Sequence, residues 1–273
     1  MKRLKNYTMK KIKVHCSWDL EIDLEHEKQI ELYVDSIPHN QVPEGTVRFV
    51  FLLEPPEIQD LTQNAMWAIE NGTANHLFTH NQELLDFTDK SSVFPLASTW
   101  IQNYGFPDKE FSVSALVGGK LLAPGHHLRH KVWFKENKIT VPKRFFLSGN
   151  YGGIENYNNN PVLGNNKSPL FDSQFHICIE NANRRNWFTE KLIDCMVTKT
   201  VPVYWGCPNI GDWFDTRGFI VVNDFKEIIE ACNSLDENTY NKMLPYIEEN
   251  YKKGLELANI SVRLKNDILK IIN

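Results

Sequence analysis

The segment Phe175–Ile210, FHICIENANRRNWFTEKLIDCMVTKTVPVYWGCPNI, constrains the fold of this chain more than any other stretch. It reads as an apolar strand ending at the acid–amide pair Glu180–Asn181, then a polar loop, then a helix opening on Thr189-Glu190-Lys191. A second apolar strand, Val201 to Trp205, follows and stops at Gly206. Two apolar strands joined through a helix make a βαβ unit, whose strands are parallel and whose crossover is almost always right-handed. In open parallel sheets, ligands sit beyond the carboxyl ends of the strands, beside helix N-termini. Glu180, Asn181, Glu190 and Lys191 fall there. A cation and hydrogen-bonding groups gathered at a helix N-terminus suit a diphosphate joined to a sugar or ribose.

The rest of the chain supplies the elements around this unit. Lys11 to Trp18 reads as a first strand, and after a Glu-rich polar stretch Val47 to Leu53 (VRFVFLL) is a continuous apolar run. Such a run marks a strand buried on both faces, and Pro55-Pro56 ends it. A helix over 59–71, a short strand over 76–79 and a short helix over 82–87 complete a small α/β domain, 1–107. The second domain, 108–273, opens with the buried strand FSVSALV (111–117), broken by Gly118-Gly119. A helix from about His126 to Asn137 follows, with Arg129 in its expected first turn. Residues 148–167, rich in Gly and Asn, read as a long mobile loop. Beyond Phe225 only helices are expected, the last with an apolar stripe at Leu257, Ile260, Leu264, Ile268 and Ile271.

The order E-N, W-F-T-E-K-L, V-P-V-Y-W-G and then F-I-V-V-N-D-F at 219–225 resembles the donor-binding half of the α1,3/4-fucosyltransferases, glycosyltransferase family ten. The resemblance is closest over Phe175–Phe225. It implies an α/β, GT-B-like fold of two Rossmann-type domains with a donor cleft between them, and a final helix that packs back onto the first domain. It also implies an inverting glycosyltransferase, fucosyltransferase-like and metal-independent. That enzyme would move fucose from GDP-fucose to a hydroxyl of an acceptor glycan, with the GDP-sugar as co-substrate and no other cofactor. Another nucleotide sugar, or a non-catalytic sugar-nucleotide or glycan-binding role, stands as the alternative.

On that reading Lys191 and Arg129 hold the donor diphosphate, the arginine as a two-point fork and the lysine as a compact charge. Glu190 would bond sugar or ribose hydroxyls, and Asn181 would bond the donor or tie the loop. Trp187 stands where the family carries an aromatic, usually tyrosine, and is a donor contact or a packing residue. Arg184-Arg185 departs from many family members; it would neutralise the leaving nucleotide, recruit an acidic acceptor, or be a solvated loop tip. Inversion needs a base opposite the departing GDP. Glu54, closing the run VRFVFLL, is the expected base, with Glu57 and Glu83 in reserve. No D-x-D triad is present, and no metal site is expected among His126, His127 and His130.

Composition bears on partners and compartment. A formal net charge of −4 gives no reason to expect nucleic acid as a partner. The basic N-terminal run has no apolar signal core and no window reaches transmembrane length, so a cytoplasmic location is expected. Five scattered cysteines, mostly in apolar runs, read as buried free thiols.

Overall fold

A computed structural model describes residues 9–273; the basic stretch before Met9 lies outside the described residues. The chain divides into two compact units, one reaching to Pro95 and including Ile260–Asn273, the other Leu96–Asn259. The sequence reading drew this line near Pro107. The reason for the difference is local: Thr99 Oγ1 and the Trp100 amide both donate to Asp194 Oδ1, at 2.6 and 2.9 Å, which ties this segment to a helix of the second unit.

In the first unit β1 (Lys10–Lys11) and β3 (Glu25–His26) form a small antiparallel pair. The main sheet holds β2 (Lys13–His15), β4 (Gln29–Val34), β5 (Thr46–Leu52), β6 (His76–Thr79) and β7 (Ser91–Val93) in that order, all parallel. The expected first strand, 11–18, is thus two short pieces, and β4 lies in the Glu-rich stretch read as polar. Phe49, Val50 and Phe51 of β5 are fully buried, as a strand covered on both faces requires. Helices α1 (Thr62–Glu70) and α2 (Gln82–Phe87) connect the later strands. Within this unit Arg48 is buried in an ion pair with Glu31 at 2.8 Å, and its guanidinium donates to the Asn40 and Thr73 carbonyls. The last helix, Ile260–Ile272, buries Leu264 and Ile268 completely, and its Arg263 donates to the Pro95 carbonyl at 2.8 Å.

The second unit is a six-stranded parallel sheet. Its strands are β8 (Glu110–Val117), β9 (Lys143–Ser148), β10 (Val162–Leu163), β11 (Ser173–Ile179), β12 (Val201–Trp205) and β13 (Ile220–Val221). They run in the order β10-β9-β8-β11-β12-β13. The stretch 148–167 therefore contributes an edge strand. Helix α3 (Pro124–Phe134) follows β8 and α4 (Glu190–Val197) follows β11. The later helices are α5 (Phe225–Asn233) and α6 (Glu237–Ala258). A Cβ on Gly254 would lie 2.7 Å from Met196 Cβ, so glycine lets α6 press against α4. All five cysteines are free, four of them buried.

Candidate functional site

In the second sheet, the chain winds one way from β8 to β9 and β10, and the other way from β11 to β12 and β13. The neighbours β8 and β11 are where the winding reverses, and ligands of open parallel sheets collect beyond the carboxyl ends at that point. β8 leads into Gly118-Gly119-Lys120 and α3; β11 leads into Glu180-Asn181 and α4.

The N-terminus of α3 sits directly on the end of β11. The Gly125 amide donates to the Asn181 carbonyl at 2.8 Å, and a Cβ at position 125 would fall 1.7 Å from the Glu180 carbonyl oxygen. Only glycine allows that approach. Arg129, one turn further on, donates through Nη1 to the Ile179 carbonyl and through Nη2 to Asn181 Oδ1 at 2.7 Å. The helix starts at Pro124, so Arg129 lies in its second turn, beyond the first-turn position expected for it. Burial lowers its pKa to about 10, which leaves it a cation at neutral pH.

Glu180 is fully buried, and both its oxygens are committed: Oε1 accepts from the Thr189 amide and Oε2 from the Thr189 hydroxyl, each at 2.8 Å. Thr189 is the N-cap of α4. The carboxylate therefore fastens the strand end to the helix cap, a positioning role. Burial raises its pKa, against the pull of Lys191 and the Thr189 donors. Glu190 and Lys191 form the first turn of α4, with Lys191 Nζ 2.7 Å from Glu190 Oε1 and 3.2 Å from Thr189 Oγ1. Burial works against both charges, yet their attraction outweighs it: the Lys191 pKa rises and the Glu190 pKa falls. Both side chains stay partly open, at 29% and 19% exposed.

One further group of this site carries a signal that the motif alone does not announce. His126, in the first turn of α3, accepts from the Ala123 amide through Nδ1. Burial, then the positive charges of Arg129, Lys120, Lys191 and His130, lower its pKa to about 4. The ring is neutral at physiological pH, chiefly because burial disfavours its charged form, and the surrounding cations add a positive potential to the same effect. The signal was the histidine pair within P-G-H-H-L-R, considered above only as metal ligands.

Trp187 requires a correction. Its side chain is fully buried, so it is a packing residue and offers no face to a ligand. The loop that carries it turns inward at Asn186, whose φ is 58° and whose amide donates to Asn209 Oδ1 at 2.8 Å. Arg185 makes an exposed pair with Asp212 at 3.6 Å.

In the first unit, Glu54 lies just past the carboxyl end of β5, beside Asp35, Gln59, Thr79 and Asn81. The Asp35 carboxylate accepts from the Leu53 and Glu54 amides at 2.7 and 3.2 Å, and so holds the backbone that presents Glu54. Burial raises the Asp35 pKa against those two donors. Of the reserves, Glu57 is half-buried and Glu83 is exposed in the first turn of α2. Among the described residues, no group of three or more His, Cys, Asp or Glu side chains is placed to hold a metal ion, and no helix is long and apolar enough to cross a membrane.

The strand end of β11 and the first turn of α4 fall inside a recognisable segment. Residues 150–255 match the family profile "Glycosyltransferase family 10 (fucosyltransferase) C-term". The match is to glycosyltransferase family 10. Among curated proteins, the Helicobacter pylori alpha-(1,3)-fucosyltransferase FucT is 35% identical over 80 residues, 28% of this chain and 17% of that protein. The GDP-fucose protein O-fucosyltransferase 3 of Xenopus tropicalis is 32% identical over 117 residues, 38% of this chain and 25% of that protein. The matched stretch is thus a quarter or less of those relatives' length. Among solved structures, an alpha1,3-fucosyltransferase with GDP-fucose superposes with a TM-score of 0.52 at 17% identity, over 85% of this chain and 79% of that one. Staphylococcus aureus TarM, in a complex containing UDP, gives 0.53 at 13% identity, over 89% of this chain and 55% of that one. These likenesses establish the GT-B-like α/β fold, with family 10 sequence features concentrated in the second unit.

Proposed function

We propose that this chain is an inverting fucosyltransferase that moves fucose from GDP-fucose to a hydroxyl of an acceptor glycan. The observation that carries the reading is the assembly of Arg129, Asn181, Glu190 and Lys191 at the winding reversal, the last three within the segment matched to family 10. Arg129 and Lys191 take the diphosphate and Glu190 and Asn181 the hydroxyls; Lys191 exchanges its Glu190 partner for phosphate oxygen as donor binds. Protein cations here neutralise the leaving GDP without a divalent metal. Glu54 takes the acceptor proton as the new glycosidic oxygen–carbon bond forms and the bond from that carbon to the diphosphate breaks on the opposite face.

The test is a thermal-shift panel of GDP, UDP, CMP and their sugars, followed by calorimetry on Arg129→Ala and Lys191→Ala. Stabilisation by GDP and GDP-fucose, lost at least ~tenfold in affinity in each variant, supports the reading. A stronger response to UDP would assign the site to a different nucleotide sugar. Unchanged GDP affinity in both variants sinks the site assignment.

A further inference from the structure

The second unit carries another opening, lined by none of the groups assigned to the donor. Trp100 lines it together with Thr99, Gln102, Asn103, Asn165, Asn166 and Ser168, residues with uncharged polar side chains. The opening measures about 580 Å³, within the roughly 300–1,000 Å³ of small-ligand sites. Trp100 is 56% exposed, although its side chain is large and mostly apolar. It is nevertheless held firmly. Its amide and the neighbouring Thr99 hydroxyl both donate to the buried Asp194, and the Lys167 ammonium lies 5.8 Å from its ring centroid while donating to the Gly164 carbonyl at 2.7 Å. Burying a carboxylate is costly. Here the buried carboxylate anchors the backbone from which the exposed indole projects.

The lining chemistry selects the ligand. Carboxamides and hydroxyls donate and accept in equal measure, which suits a ligand dense in neutral hydroxyl groups. An indole face suits a ligand that also carries an apolar carbon–hydrogen surface. Sugar rings have both. None of the lining residues carries a charge to hold a phosphorylated or carboxylated ligand, and the neighbouring Lys167 ammonium is engaged by Gly164 and the indole. We propose that this opening is a docking site for a neutral oligosaccharide segment, with Trp100 as its stacking platform. Calling that oligosaccharide the acceptor glycan rests on the transferase reading. The connection is short: Asp194, which anchors the platform, stands one helical turn beyond Glu190 on α4.

The experiment screens immobilised neutral oligosaccharides of hexose and N-acetylhexosamine units against the full chain. The best binder is then titrated by calorimetry against wild type, Trp100→Ala and Trp100→Phe, with GDP titrated in parallel. Expected are binding by wild type, a loss of about tenfold or more in Trp100→Ala, partial retention in Trp100→Phe, and unchanged GDP affinity and melting temperature in both. Failure of every neutral oligosaccharide to bind wild type, or binding that survives Trp100→Ala, overturns the docking site even where GDP binds. Oligosaccharide binding through Trp100 without any GDP binding would uphold the site and sink the transferase reading.

Discussion

Asp194→Asn isolates the cost of the carboxylate that holds the 99–100 segment. In the folded chain burial raises the Asp194 pKa from 3.8 to about 7, with Glu190 adding to the shift and Thr99, the Trp100 amide and Lys191 opposing it; Lys167 also faces the group. A carboxyl whose folded pKa exceeds its unfolded value keeps a proton that the unfolded chain has already lost. Stability attributable to it therefore falls as pH rises from about 4 to about 7 and is level above that. The span of roughly three pH units, at about 1.4 kcal/mol each, gives a loss of about 4 kcal/mol. Asparagine keeps an acceptor oxygen for both donors and has no charge to desolvate. Urea unfolding of both proteins between pH 4 and pH 8 should show the variant gaining on wild type by about 4 kcal/mol across that window. His126 and Glu180 titrate abnormally in both proteins, and taking the difference between the curves removes their contribution where they do not couple to Asp194. A difference that stays flat with pH refutes the argument, because it would mean that Asp194 is not ionised against a burial penalty.

Other changes probe other parts of the molecule. Gly125→Ala forces α3 off the end of β11 and should cost about 1–3 kcal/mol or more, while Gly152→Ala, where a Cβ meets nothing within 4 Å, should be near neutral in the same melts. Arg48→Ala leaves Glu31 buried without its partner and should destabilise by about 3–5 kcal/mol in denaturant titrations; replacing both residues by apolar ones should recover most of it. Glu54→Gln should retain GDP affinity in calorimetry and lose transfer from GDP-fucose, and surviving turnover would move the base elsewhere.

The βαβ heart of the second unit was legible because nothing in it conflicts. Its strands are apolar runs, its helix opens on a threonine cap, and its charged groups fall at the strand ends. The strand over 76–79 and the helix over 82–87 were equally plain. Strand β4 was not, because QIELYV interleaves Glu31 with its apolar residues, and Glu31 is tolerated inside only through Arg48, distant in sequence. Missing β4 hid Asp35, whose importance depends on β4 lying beside β5. The role of Glu180 was also hidden: a carboxylate at a strand end reads as a ligand group until its two bonds to Thr189 are seen. Trp187 misled because an aromatic beside a binding motif reads the same whether it faces the ligand or the core. The Asn186–Asn209 link that turns it inward joins residues too far apart for local pattern to reveal.

The two residues at the end of β11 carry a geometric duty beyond any contact they make with a ligand. Through its side chain Glu180 fixes the cap of α4; through the Asn181 carbonyl and amide side chain the same strand end fixes α3 at Gly125 and Arg129. Both helices are thus measured from a single origin. A displacement of that strand end carries both helix starts with it and leaves their spacing unaltered, like two marks on one ruler. The gap between Arg129 and Lys191 is then referred to one dipeptide, and the loops around it do not set it.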